Sequence, residues 1–497
     1  MIQNDSLPLN EAQRQSPVAI LIIFQRLFRT MIRAIWPLFI FYFINPEKTF
    51  EYYITIVGIG VIFLSSIRSF ISYLTFHFHL DNNELVIREG FFNKTNRNIP
   101  FDRIQTINFT QTIVHQFFNV VSLNIDTAGS KGNEFSIKAL SKEKAEDIRN
   151  FILSNKSDLI IDESVEDSDT QEILTPIKET PLLRLSVSDL LKIGVSQNHM
   201  RTVGVIIAFF FGLSDYVEEL LGKDTFSQIW TFFNSGFFKI ILLTSVLLII
   251  SFFISLIRTV LRYFNLVFYK TTNGFKIQSG LFTRQEQSAQ IQKIQLVQWS
   301  TNPIKSYFGL SALYLRQAAS GAIARKQTIY VPGCYDDQIQ TVRQTYFPNE
   351  ATTHFFTHQI SPLIINRRML YFGILPSFFL LVNSYDSGWK ALLWLLLIPI
   401  VYITSVYYHR KWKYDLSADG LRTKKGIIGQ NASLLRWNKV QGINIQQSFY
   451  QRRKRLADIT FYTAGGAVKI PYIELEKAQA IMNYVLYKVE IDEKKWM

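Results

Sequence analysis

The stretch Ser279-Gly280-Leu281-Phe282-Thr283-Arg284-Gln285-Glu286-Gln287-Ser288-Ala289-Gln290-Ile291-Gln292-Lys293-Ile294-Gln295 lies near the middle of the chain, and its pattern occurs three times. Gly280 stands 14 positions ahead of Ile294-Gln295, as Gly90 does ahead of Ile104-Gln105 and Gly426 ahead of Val440-Gln441. The glycines open apolar turns, Gly90-Phe91-Phe92, Gly280-Leu281-Phe282 and Gly426-Ile427-Ile428. Alternating apolar residues follow each glutamine: Ile107 and Phe109, Val297 and Trp299, Ile443 and Ile445. Further on, Val120-Val121-Ser122-Leu123 matches Leu310-Ser311-Ala312-Leu313 and Leu456-Ala457-Asp458-Ile459. Matched spacing held without a gap in three copies is the mark of one unit used three times.

Each copy follows a pair of hydrophobic stretches. They are roughly Ile32 to Ile44 with Tyr53 to Phe76, Arg201 to Leu213 with Phe238 to Leu261, and Leu370 to Val382 with Trp389 to Tyr408. A spanning helix needs about 20 apolar residues. The first member of each pair is short, and in pairs one and three its N-terminal extension is basic and amphipathic, as in Gln25 to Arg33 and Ile364 to Arg368. Such an extension either lies in the interface or belongs to one long tilted helix. The net charge of +14 sits beside these stretches, which points to an anionic membrane rather than nucleic acid. Arg14, Arg26, Arg29 and Arg33 precede the first span, and His409-Arg410-Lys411-Trp412-Lys413 closes the sixth. The positive-inside rule then predicts a multi-pass cell-membrane protein of about six spans, with all three modules and both termini cytoplasmic.

Within each copy, strand patterns such as Leu85-Val86-Ile87-Arg88 lead to the glycine, and a helix closes the unit. The three helices are predicted from Ser141, as N-cap, to about Leu153, from about Asp336 to Tyr346, and from about Glu474 to Tyr487. The helix pair ahead of each module, the glycine turn, the Ile/Val-Gln step and the Tyr307-Phe308-Gly309 step together resemble the bacterial pleckstrin-homology (PH) domain family, type two, a membrane-flanking domain. Its large three-module membrane proteins of Gram-positive bacteria are the nearest likeness. The resemblance implies an α+β membrane protein of three transmembrane helix pairs, each followed by a PH-like domain of two packed antiparallel sheets capped by a C-terminal helix. On this reading residues 1–79 hold an amphipathic segment and the first pair, 80–155 the first domain and 156–182 an acidic linker. Residues 183–265 hold an amphipathic segment and the second pair, 266–348 the second domain, 349–411 the third pair and 412–497 the third domain. Copy three departs from the pattern, with Gln451-Arg452-Arg453-Lys454-Arg455 in place of the aromatic-glycine step.

That basic run is the strongest local charge feature. Either Arg452, Arg453, Lys454 and Arg455 contact lipid headgroups, with Arg436 and Lys439 extending the patch, or they form a solvated turn that obeys the positive-inside bias. Sparser counterparts are Arg97 and Arg103 in copy one and Lys293 and Lys305 in copy two. Gln105, Gln295 and Gln441 read as structural amides at a sheet corner, with a binding role as the alternative; Gly90 reads as a left-handed turn residue, and Gly280 and Gly426 as its structural repeats. The acidic stretch Asp158 to Thr180 reads as a solvated tether or as a strap competing for a basic face. The one cysteine, Cys334, allows no intrachain disulfide. His77 with His79, and His354 with His358, lack further ligands, so no metal is expected. No nucleophile, phosphate loop or mid-span acid marks a catalytic residue, and no cofactor is implied. A non-enzymatic lipid- or protein-binding platform is therefore expected. The rival is a transporter or lipid-handling protein with six helices around a path gated by the modules. The resemblance also implies a smaller single-module PH-like membrane protein as partner, and a role in envelope stress or antimicrobial-peptide resistance.

Overall fold

The computed structural model describes residues 11–44, 48–81, 83–91, 93–127, 135–161, 179–197, 202–205, 236–317, 328–348 and 355–491, with 222, 224, 225, 228 and 231. A long helix, Ala19–Ile44, is followed by a second, Lys48–Thr75. The basic segment Gln25 to Arg33 is thus the first part of one continuous helix.

The first module then alternates as its sequence does: β1 (His77–Asp81), β2 (Glu84–Glu89), β3 (Thr95–Pro100), β4 (Ile104–Gln111), β5 (Val120–Thr127) and β6 (Phe135–Ser141). β1, β2 and β3 form one antiparallel sheet and β4, β5 and β6 run side by side in another. Phe78, Leu80, Leu85, Ile87 and Ile99 from the first sheet meet Ile107, Leu123, Ile125 and Ile137 from the second. The helix Lys142–Ile161 closes this core with Ala145, Ile148 and Ile152. Ser141 caps it, its hydroxyl accepting from the Lys144 N–H at 3.4 Å. The helix runs beyond the expected end near Leu153, into the stretch read as a linker, of which residues 162–178 lie outside the described residues.

A strand of the same chain, β7 (Thr180–Arg184), precedes the helices Val187–Val195 and Phe237–Tyr263. Module two follows with β8 (Val267–Thr271), β9 (Gly274–Ser279), β10 (Arg284–Gln290), β11 (Ile294–Thr301), β12 (Ser311–Gln317), β13 (Ile329–Cys334) and the helix Asp336–Tyr346. Next come β14 (Phe356–Gln359) and two long helical stretches, Ile364–Asn383 and Ala391–Lys411. Module three has β15 (Lys413–Leu416), β16 (Gly420–Lys425), β17 (Gln430–Arg436), β18 (Gly442–Gln446), β19 (Leu456–Thr463), β20 (Gly466–Glu474) and the helix Leu475–Ile491. Its core gathers Trp412, Trp437, Phe461, Ile459, Ile470, Ala478 and Val485.

Each module also takes up chain from ahead of the helices that precede it. Gln13 bridges Phe78, β7 pairs with β8, and β14 pairs with β15. The sequence alone gave no sign of these added strands, because four or five residues such as Phe356-Thr357-His358-Gln359 carry too little pattern to be read.

The chain divides into two compact units: Met1–Pro176, Leu185–Leu266 and Gln278–Gln287, and separately Ile177–Arg184, Val267–Ile277 and Ser288–Met497. In the first unit β4 pairs with β10, Arg284 opposite Gln111 and Gln285 opposite Thr110. In the second, β11 pairs with β17 from Val297 opposite Leu434 to Thr301 opposite Gln430. A strand of one module therefore joins the third strand of the next.

Four helices among the described residues are long and apolar enough to cross a membrane: Thr55–Thr75, Thr244–Tyr263, Ile364–Asn383 and Ala391–Lys411. The span read at Arg201 to Leu213 lies almost wholly outside the described residues. The helices leave large apolar side chains such as Ile59, Phe63, Phe253 and Phe378 exposed, as lipid-facing surfaces do. They pack on small residues. Ser65 and Ser69 are fully buried, with Ser69 Oγ donating to Ile20 O. Gly194 lies against Leu256, and Gly373 against Val401.

Candidate functional site

A short helix follows the fourth strand of each module: Ile113–Phe117, Pro303–Tyr307 and Phe449–Arg453. Each holds a buried polar residue 25 positions after the module's glycine: His115, Lys305 and Gln451. Each is anchored. His115 Nε2 donates to Lys138 O at 2.9 Å, Lys305 Nζ to Pro332 O at 3.0 Å, and Gln451 Nε2 to Asp458 Oδ1 at 2.5 Å. Burial lowers the Lys305 ammonium to about 8, and burial also lowers His115, aided by Arg26 and opposed by its bond to Lys138. Lys305 therefore points into its module and is absent from the surface. Three unlike residues fill this place, so sequence comparison of the copies did not reveal it.

The same short helices present large apolar residues to the outside. Phe117 is 82% exposed, Tyr307 86% and Phe449 74%. Their surroundings explain why this is tolerable. In the first unit, Gln116 Nε2 donates to Leu281 O and Phe282 O at 3.1 and 3.2 Å. The Gly280 and Leu281 N–H groups in turn donate to Phe264 O and Leu261 O at the end of the long helix Phe237–Tyr263. Phe117, Phe118, Ile113 and Phe282 thus form an exposed apolar tip at the end of a spanning helix. In the second unit, Gly429 lies against Thr301 and Asn302, the latter being the N-cap of Pro303–Tyr307. Lys411 Nζ, at the end of the stretch Ala391–Lys411, donates to Ile427 O at 3.0 Å. Tyr307, Ile304 and Ile428 form the corresponding tip.

In module three Arg452, Arg453, Lys454 and Arg455 are all exposed. The Arg453 guanidinium lies over the Phe449 ring, 4.6 Å from its centroid. Arg455 O accepts from the Leu475 N–H at 2.9 Å, and Tyr472 O accepts from the Ser361 N–H at 2.8 Å. Ser361 stands three residues ahead of the helix that begins at Ile364. The basic run is therefore tied, through Tyr472 to Leu475, to the start of the helical stretch Ile364–Asn383. Module one repeats the attachment, with the Ser16 N–H donating to Ala139 O ahead of the helix Ala19–Ile44. Both serines precede a proline, Pro17 and Pro362, a signature the sequence held unread.

The structure does not bring Arg436 and Lys439 into this surface. Lys439 is buried, its Nζ donating to Gln292 O at 2.7 Å, and Arg436 Nη1 donates to Tyr346 O at 3.5 Å. Both side chains reach back to module two instead of extending the patch, because the strand pairing of β11 with β17 sets that module beside them. The three glutamines also part company. Gln295 is fully buried beneath Gly465, with neither side-chain Nε2 nor Oε1 hydrogen-bonded; Gln441 is exposed; the Gln105 side chain lies outside the described residues. Gly90, Gly280 and Gly426 have φ of 102°, 112° and 156°. A Cβ there would strike the carbonyl of the residue three further on. Among the other candidates, His77 Nε2 accepts from Arg14, His358 stacks on Tyr414, and His354 lies outside the described residues. Cys334 is buried, and burial pushes its thiol up.

This architecture has known relatives. The profile of the bacterial PH domain matches residues 23–156, 209–348 and 370–489. A UPF0699 transmembrane protein of Bacillus subtilis (strain 168), YdbT, is 26% identical over 477 residues, covering 93% of both chains. With three matches that take up most of its length, the chain belongs to the bacterial PH domain family as a transmembrane protein that repeats the domain.

Proposed function

We propose that the chain is a non-enzymatic platform at the cytoplasmic face of the cell membrane, whose modules rest apolar tips and a basic run on anionic lipid. The observation that carries this is the recurrence of an exposed aromatic on every short helix, Phe117, Tyr307 and Phe449, in two cases beside the end of a spanning helix. At that depth aromatic rings are stable, half in headgroups and half in hydrocarbon. The cationic run adds attraction of about 1 kcal/mol per residue near an acidic surface. Positive charge at Arg410 and Lys411, where the last span ends, favours the cytoplasmic side.

The test uses the full chain in lipid nanodiscs, with an environment-sensitive fluorophore on Phe449→Cys. Emission should shift to the blue in discs containing acidic lipid. Changing Arg452, Arg453, Lys454 and Arg455 to Ser should remove the dependence on lipid charge. Water-like emission in acidic and neutral discs alike would sink the proposal.

A further inference from the structure

Two strands have one neighbour where their counterparts in the other modules have two. β18 has β19 as its neighbour and β3 has β2, with no second neighbour for either among the described residues. Their counterparts are joined twice. Arg284 faces Gln111, and Gln430 faces Thr301. Counted from each module's glycine, both joints set position 4 of the later module opposite position 21 of the earlier one. One register serves both. β18 occupies the earlier-module position of module three, and β3 occupies the later-module position of module one.

We propose that β18 of one copy pairs antiparallel with β3 of a second copy, head to tail, in this same register. Lys94 would then face Gln447, Thr95 Gln446, Asn96 Ile445, Arg97 Asn444 and Asn98 Ile443. β18 reads Gly442-Ile443-Asn444-Ile445-Gln446, with no charge and no proline. Soluble edges are normally protected by such residues, and an edge without them is a template for another strand. A second observation points the same way. At the existing joints the closing helix of the earlier module touches the later one, as Arg149 Nη1 on Glu286 Oε1 at 2.6 Å and Tyr346 O on Arg436 show. On the closing helix of module three, Leu486, Tyr487 and Ile491 remain exposed. The chain itself carries both halves of a joint it has made twice. Such a contact is heterologous, so copies would close into a ring or continue as a row. This inference does not depend on lipid binding.

The experiment coexpresses two differently tagged full-length copies, one Thr95→Cys and the other Gln446→Cys, and oxidises native membranes with a copper catalyst. The native Cys334 is buried and stays silent. Both new cysteines replace residues on open strand edges, so folding is preserved. A disulfide between the two tags is expected, at least tenfold above that of Asn98→Cys with Gln446→Cys, which is displaced about 10 Å along the strand. Equal yields from the two pairs, or no bond between copies, would overturn the proposal. So would capture of a different protein by Gln446→Cys, which would assign the β18 edge to another chain.

Discussion

Arg455 holds φ at 52°, in the left-handed region that a side chain with a Cβ enters at a cost. Its counterparts 29 positions after each glycine are Asn119, with φ 52°, and Gly309, with φ 66°. Asparagine and glycine are the usual occupants of such a turn, and arginine is not. The backbone of module three has therefore kept the shape of the aromatic-glycine step that its sequence abandoned. Arg455→Gly should raise stability by about 1 kcal/mol, read as a higher melting temperature of the full chain in detergent, while the four-residue run loses a charge. A lower melting temperature would mean that the guanidinium makes a stabilising contact. His115 yields a second expectation. Burial holds its pKa below the usual 6.5. As pH falls through 6.5 the unfolded chain takes up the proton first, so stability is complete above that pH and is lost below it. The melting temperature of the native chain should drop more between pH 7.5 and 5.5 than that of His115→Gln, whose amide can still donate to Lys138 O. Equal drops would show that His115 does not set the acid limit.

At the scale of elements, the helix pairs and the modules follow different rules. Apolar length identifies a spanning helix because every backbone group is satisfied inside it, so Thr55–Thr75 and Thr244–Tyr263 could be read from composition. How helices pair depends on small residues that the apolar count ignores. Ser65 and Ser69 lie one turn apart and fully buried, while Ser66 between them is exposed and donates back to Ile62 O. Ser69→Leu should cost about 1 to 3 kcal/mol by overpacking against the first helix, whereas Ser66→Leu should be near neutral. Thermal denaturation in detergent would separate them, and equal effects would place the helix contact elsewhere. The short helices show the opposite case. Five residues are too few for periodicity to reveal a helix, so their aromatic tips were not legible, although Phe117, Tyr307 and Phe449 all stand in the sequence.

At the scale of the molecule, β4 with β10 in one unit and β11 with β17 in the other join strands of successive modules. Lys439 shows what this changes. By sequence it belongs to a basic patch, and by structure its ammonium is spent on Gln292 O. Charge along a chain says nothing of which neighbour the fold will set beside it. The sequence by itself determined that three copies of one α+β module exist, that hydrophobic helices precede them, and that Gly90 makes a left-handed turn with Gly280 and Gly426 as its repeats. These follow from local periodicity, apolar length and backbone sterics, which act over a few residues. Only the tertiary structure decided which strand edges are joined and which stay open. It also decided which polar residues are buried and which aromatics stand at the ends of the helices. Those depend on contacts between segments as distant as Gln111 and Arg284, and the free energy of such contacts comes from burial and hydrogen bonding that no single stretch of sequence contains.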